Sequence, residues 1–60
     1  MEGFKFEIGE IVQHVLTKER FIVLERFKRD LYLRYKCRDE GYGSEEFFEF
    51  ELRKVKQGGR

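Results

Sequence analysis

The chain contains no proline and no tryptophan, a single cysteine, a single histidine, and no apolar run longer than the four residues Phe21–Leu24. Each shortage excludes something. Cys37 has no second cysteine to pair with, so the fold has no intramolecular disulfide; a lone thiol and no secretory segment point to a reducing, cytoplasmic setting. A run of four apolar residues is far shorter than the roughly 20 that a membrane-crossing helix needs, and no membrane association is expected. One histidine and one cysteine do not complete a tetrahedral zinc site without carboxylates or a second subunit, so no metal or cofactor is expected. His14 reads as a strand surface residue. Helical periodicity is poor throughout, which argues against an α-helical domain.

Aromatic residues are what the chain has in abundance. Seven phenylalanines and three tyrosines in 60 residues supply the buried area that so short a chain otherwise lacks. Association with a second copy is another route to stability at this size. The charges nearly cancel, with a net of +1, but they are segregated. Lys28 to Arg38 holds five basic residues against Asp30, whereas Asp39 to Glu51 holds six acidic residues and no basic one. Positive charge returns with Arg53, Lys54, Lys56 and Arg60. Neighbouring strands that carry these segments would pair charges across a sheet. A segregated surface used for recognition is the competing interpretation.

Short β-branched and aromatic runs, split by turn signals, predict an all-β fold. Phe4, Phe6 and Ile8 alternate ahead of Gly9 and are expected to tuck beneath the sheet. Runs over Glu10–Leu16 and Arg20–Phe27 flank the polar turn Thr17–Lys18–Glu19. Lys28–Arg29–Asp30 reverses the chain into Leu31–Arg38, the cleanest alternation in the sequence. There Leu31, Leu33, Tyr35 and Cys37 point one way, and Tyr32, Arg34, Lys36 and Arg38 the other. Asp39–Gly43 is a loop with two glycines. A fourth run starts at Ser44, and a last one covers Leu52–Lys56. In the segment between them, "YGSEEFFEFEL", strict alternation leaves Phe47 on the wrong side. A strand through Phe47 or Phe48, then a 3-10 turn over about Glu49–Glu51, resolves this. Phe48, Phe50 and Leu52 are then expected to seal the core while the glutamates stay solvated. Five short strands predict a small closed barrel over residues 1–56, with Gln57–Gly58–Gly59–Arg60 as a frayed tail.

At this length the architecture expected is a five-stranded SH3-like barrel, and several motifs carry a resemblance. Ile8–Gly9–Glu10–Ile11–Val12–Gln13–His14, Phe21–Arg26, Tyr35–Lys36–Cys37–Arg38 and Phe48–Glu49–Phe50–Glu51–Leu52 resemble the "hGDxVxH", "hxVxxR", "YxCR" and "FxExEL" segments of small bacterial and phage SH3-like barrel proteins of largely unassigned function. The resemblance covers about residues 6 to 55 and implies a fold with a 3-10 turn before the last strand, without implying a mechanism. Lys18 departs from the pattern, standing where a turn glycine is common, which implies a wider first hairpin. The glycine-rich "GxxKGxxG" turn of the nucleic-acid-binding kind with the KOW signature is absent. So is the "VQIY" strand of the plasmid-borne reductase that shares this architecture.

Several residues invite a chemical reading. Cys37 alternates in phase with apolar neighbours and reads as a buried filler; a catalytic thiolate needs a lowered pKa and a nearby base. The pairs Glu45–Glu46 and Glu49–Glu51 would need a shared cleft to act as acid and base, for which the chain has little room. The basic strand face is the stronger candidate. Tyr32, Arg34, Lys36 and Arg38 share one side of one strand, about 6.5–7 Å apart, with Arg26 from the neighbouring strand and Tyr42 from the glycine loop beside them. This pattern predicts a non-catalytic interaction module that binds a protein or acidic peptide. Nucleic acid is the alternative partner, since cations interleaved with aromatics suit a phosphate backbone and stacked bases, although the near-zero net charge weighs against it. A small enzyme subunit active only as an oligomer is the second alternative. Phe27 and Phe47 are candidates for a homodimer seam.

Overall fold

The computed structural model describes residues 3–55, which form one antiparallel five-stranded sheet. The strands are β1 (Ile11–His14), β2 (Arg20–Arg29), β3 (Tyr32–Arg38), β4 (Ser44–Phe48) and β5 (Leu52–Lys54), in the order β4-β3-β2-β1-β5. A 3-10 turn at Glu49–Glu51 separates the last two, where the broken alternation of the segment places it. Lys56 and the tail expected over 57–60 lie outside the described residues.

Turn chemistry sets the connections. Gly9, at φ 91, bends the chain into β1, a conformation that disfavours a side chain. Its N–H donates to the Val23 carbonyl at 2.8 Å. Lys18 itself takes the left-handed conformation, at φ 69, that a glycine there would favour, and its Nζ donates to the Val15 carbonyl at 3.0 Å. The two-residue loop Asp30–Leu31 joins β2 to β3 with Asp30 at φ 59, a conformation that Asp and Asn tolerate.

The sheet is strongly curled, although it does not close. Phe48 and Leu52 end β4 and begin β5, the two edge strands. Four residues of chain span at most about 14 Å. Four strand spacings would hold the edges of a flat sheet about 19 Å apart. Only curvature reconciles the two, and the register shift between Val23 and Glu25 in β2 supplies a bend. The closed barrel expected from strand count is not formed, since no β4–β5 ladder exists among the described residues. At the point of closest approach the Phe48 N–H is already taken by Glu51 Oε1 at 3.0 Å, and β5 runs for only three residues.

The concave side holds the core: Phe6, Val12, Phe21, Val23, Tyr35, Cys37, Phe47 and Leu52 are buried, with Phe4 packed against them. Burying each large side chain stabilises the fold by about 1.5–3 kcal/mol. Four expectations need correction here. Phe47 is core, because it pairs with Tyr35 across β3 and β4, so it is not available to a dimer seam. Phe48 faces the other way and is half-buried, and Phe50 is 70% exposed, so of the three expected to seal the core only Leu52 does. Ile8 is 61% exposed rather than tucked beneath the sheet, because the bend at Gly9 turns it outward. Leu31 leaves the inward alternation of Leu33, Tyr35 and Cys37, being 85% exposed at the tip of the β2–β3 loop.

Candidate functional site

β3 places Tyr32, Arg34, Lys36 and Arg38 on the outer face, as its alternation requires, while Tyr35 and Cys37 face the core. Register then decides their neighbours. Across the sheet run the rows Phe27–Arg34–Phe48, Glu25–Lys36–Glu46 and Ile22–Arg38–Ser44, with Arg29 opposite Tyr32. The acidic segment therefore lies beside the basic strand, and the two halves of the charge asymmetry pair in part.

The face has two ends of different character. At one end the Arg34 guanidinium lies 4.4 Å from the centroid of the Phe48 ring. Its Nη2 is 3.5 Å from Glu46 Oε1, and Arg29 Nη1 reaches the same oxygen at 3.6 Å. Tyr32 meets Phe48 edge to face at 5.6 Å, and Phe50 stacks on Phe48 at 5.1 Å with the planes 7° apart. Tyr32 and Phe50 nevertheless stay 55% and 70% exposed, so this aromatic cluster opens to solvent. At the other end Arg38 lies 5.1 Å from the Tyr42 ring centroid, and both are exposed. Asp39 shapes that loop: its Oδ1 accepts the N–H groups of Gly41 at 2.8 Å and Gly43 at 2.9 Å, and Tyr42 sits at φ 69 between the glycines. Lys36, between the ends, is half-buried and flanked across the ladders by Glu25 and Glu46.

Arg26 does not belong to this face. It pairs with Tyr35 on the concave side, where Nη1 donates to the Phe6 carbonyl at 3.1 Å and to Glu7 Oε1 at 3.3 Å. Its guanidinium also lies 5.0 Å from the Phe4 ring centroid. The cause is the bulge. Val23 faces inward, Leu24 is the extra residue, and from Glu25 onward the alternation is inverted. The same inversion brings Phe27 to the outer face beside Arg34, half-buried, with Arg29 5.2 Å from its ring centroid. Phe48, Phe50 and Arg29 complete the outer cluster and were not anticipated there. The one signal for Phe48 is its ladder position opposite Arg34, which needs the strand register.

The remaining chemistry-bearing residues serve the fold. The buried Cys37 thiol is pushed up to about 11 by desolvation, so it remains protonated near neutrality. Tyr35 donates its hydroxyl to Glu49 Oε2 at 2.5 Å and accepts the N–H groups of Lys5 at 2.9 Å and Phe6 at 3.3 Å. Burial first, then the bond to Glu49, raises its phenol to about 12. Glu49 also accepts the Lys5 N–H at 2.9 Å, so it fastens the N-terminal segment and is not simply solvated. His14 is more than a strand surface residue. Its ring packs against Phe47 at 5.3 Å, and Nδ1 accepts the N–H groups of Leu16 at 3.1 Å and Thr17 at 3.3 Å. Among the described residues no group of three His, Cys, Asp or Glu side chains is placed to hold a metal ion, and no helix is long and apolar enough to cross a membrane.

Comparison with protein-family models, with curated proteins and with solved structures returned no match. The geometry of the outer face is therefore what a functional reading has to rest on.

Proposed function

We propose that this protein is a small SH3-like domain, its barrel left open between β4 and β5, acting as a non-catalytic, cytoplasmic interaction module, and that it binds a protein or peptide through the outer face of β3. The observation that carries the reading is the aromatic cluster of Tyr32, Phe48 and Phe50, left open to solvent beside Arg34. Aromatic rings next to guanidinium groups are what protein-binding surfaces concentrate at their centres. The five-strand order and the 3-10 turn before β5 favour the SH3-like architecture. Lys36 and Arg38 extend the face towards Tyr42.

Capture on immobilised wild-type and Tyr32→Ser protein, with nuclease present, tests the reading. A protein partner retained by the wild type and lost with Tyr32→Ser supports it. Equal retention by both contradicts it.

Nucleic acid is the second reading, favoured by the exposed Arg38–Tyr42 pair, in which a cation and a ring stand ready for a phosphate and a base. Titration with single-stranded and duplex oligonucleotides at about 50 mM salt decides it, because the electrostatic contribution is strongest at low salt. Absence of binding there removes this reading.

A further inference from the structure

Between the 3-10 turn and the β2–β3 loop lies an open groove of about 240 Å³, walled by Leu31, Tyr32, Leu33, Phe48 and Phe50 and also lined by Lys5 and Glu49. Its lining is divided between apolar and polar surface, and the apolar part is largely unspent: Leu31, Tyr32 and Phe50 are 85%, 55% and 70% exposed. Its polar groups are unequally committed. Glu49 accepts from the Tyr35 hydroxyl and the Lys5 N–H, Glu51 from the Phe48 N–H, and Glu46 pairs with both Arg29 and Arg34. The glutamates around the groove are thus occupied by the fold. The donors are not. The ammonium groups of Lys5 and Lys28 have no ion pair or hydrogen bond among the described residues, and Arg29 shares its single carboxylate with Arg34. Lys28 stands directly opposite Leu33, and Arg29 opposite Tyr32, so both cations border groove walls. Asp30, at the loop tip, is the one nearby carboxylate without such a commitment among the described residues.

We propose that this groove receives a bulky apolar side chain of an acidic peptide segment, whose carboxylates meet Lys5, Lys28 and Arg29. Apolar walls select the anchor residue, and the free donors select acidic flanks over basic ones. The inference rests on the reading of the outer face as a protein-binding surface, and it narrows that reading to one end of the face and one class of ligand.

The test is selection of a displayed random-peptide library on the wild-type protein, followed by amide chemical-shift mapping with a selected synthetic peptide. The expected outcome is enrichment of peptides with a Phe, Trp, Leu or Met flanked by Asp or Glu, and shifts centred on Leu31, Tyr32, Leu33, Phe48 and Phe50. Phe50→Ser and Leu31→Ser should each weaken that peptide about tenfold, and Lys5→Glu should weaken it several-fold with a reduced salt dependence. Both wall residues are exposed, so the variants keep their fold. Enrichment of basic peptides, or affinity unchanged by Phe50→Ser, overturns the groove assignment. If selected peptides instead shift Arg38 and Tyr42, the binding-module reading survives and this inference fails. If no peptide is enriched while single-stranded DNA binds, both fail.

Discussion

The two sides of the sheet around β3 use the same three ingredients to opposite ends. On the concave side Arg26 lies over the Phe4 ring, Tyr35 is fully buried, and Glu49 joins Tyr35 to the Lys5 amide. On the outer side Arg34 lies over the Phe48 ring, Tyr32 packs on the same ring, and Glu46 joins Arg34 to Arg29. The difference is what covers them. The inner set is closed over by the N-terminal segment Phe4–Phe6, whose backbone supplies its hydrogen-bond partners. On the outer side Arg34 and Phe48 are half-buried, but nothing among the described residues covers Tyr32 or Phe50. An arginine, an aromatic and a glutamate therefore mean anchorage in one place and an exposed face in the other, and it is the burial of the tyrosine, complete for Tyr35 and slight for Tyr32, that tells them apart.

Substitutions should separate the two sides, with effects that fall in order. Tyr35→Ala should be the most damaging, at about 3–5 kcal/mol. That is comparable with the whole stability of a domain this small, so circular dichroism should show an unfolded chain. Tyr35→Phe, which leaves the Phe6 N–H without its partner and removes one of the two donors to Glu49, should cost about 1–3 kcal/mol by urea unfolding. It should also change the alkaline limit. The folded Tyr35 phenol is raised from 10.0 to about 12, so its contribution is complete below pH 10 and is lost as pH rises through about 12. Cys37, raised from 9.0 to about 11, adds a loss of the same sign over its own range. Stability measured between pH 8 and 12 should therefore fall less steeply in Tyr35→Phe than in the wild type.

Arg26→Ala should cost about 1 kcal/mol and, more tellingly, speed hydrogen exchange at the Lys5 and Phe6 amides. On the outer side, Glu46→Gln should cost about 1 kcal/mol or less, because Glu46 and Arg29 are exposed and only Arg34 is half-buried. Tyr42→Asn should be nearest to neutral, within about 0.5 kcal/mol by thermal unfolding. It gives up an exposed cation–π contact and relieves the left-handed conformation of a tyrosine.

The strands, the 3-10 turn over Glu49–Glu51 and the outward row on β3 were all legible in the residues, because period-2 alternation and turn chemistry are local signals. What was not legible depends on register. The bulge at Leu24 inverts the alternation of β2, and counting by twos from Phe21 and Val23 sends Arg26 outward when it in fact faces Tyr35. Phe47 and Phe48 are adjacent and chemically identical, so only pairing with Tyr35 and Arg34 decides which is core and which is surface. The outward row was therefore read correctly along β3, and the candidate site incompletely across it. Its aromatic half comes from the 3-10 turn and the end of β4, segments whose exposure follows from curvature of the whole sheet.

The thermal midpoint of Phe50→Ser, measured beside that of Tyr35→Phe, tests most directly whether the outer aromatic cluster is free surface. A change of 1 kcal/mol moves the midpoint of a domain this size by about 4–8 °C. Phe50→Ser should lie closer to the wild type than to Tyr35→Phe, since the ring is 70% exposed. A fall in Phe50→Ser equal to or larger than that in Tyr35→Phe would show that the outer cluster holds the fold together, and would contradict its assignment as a binding surface.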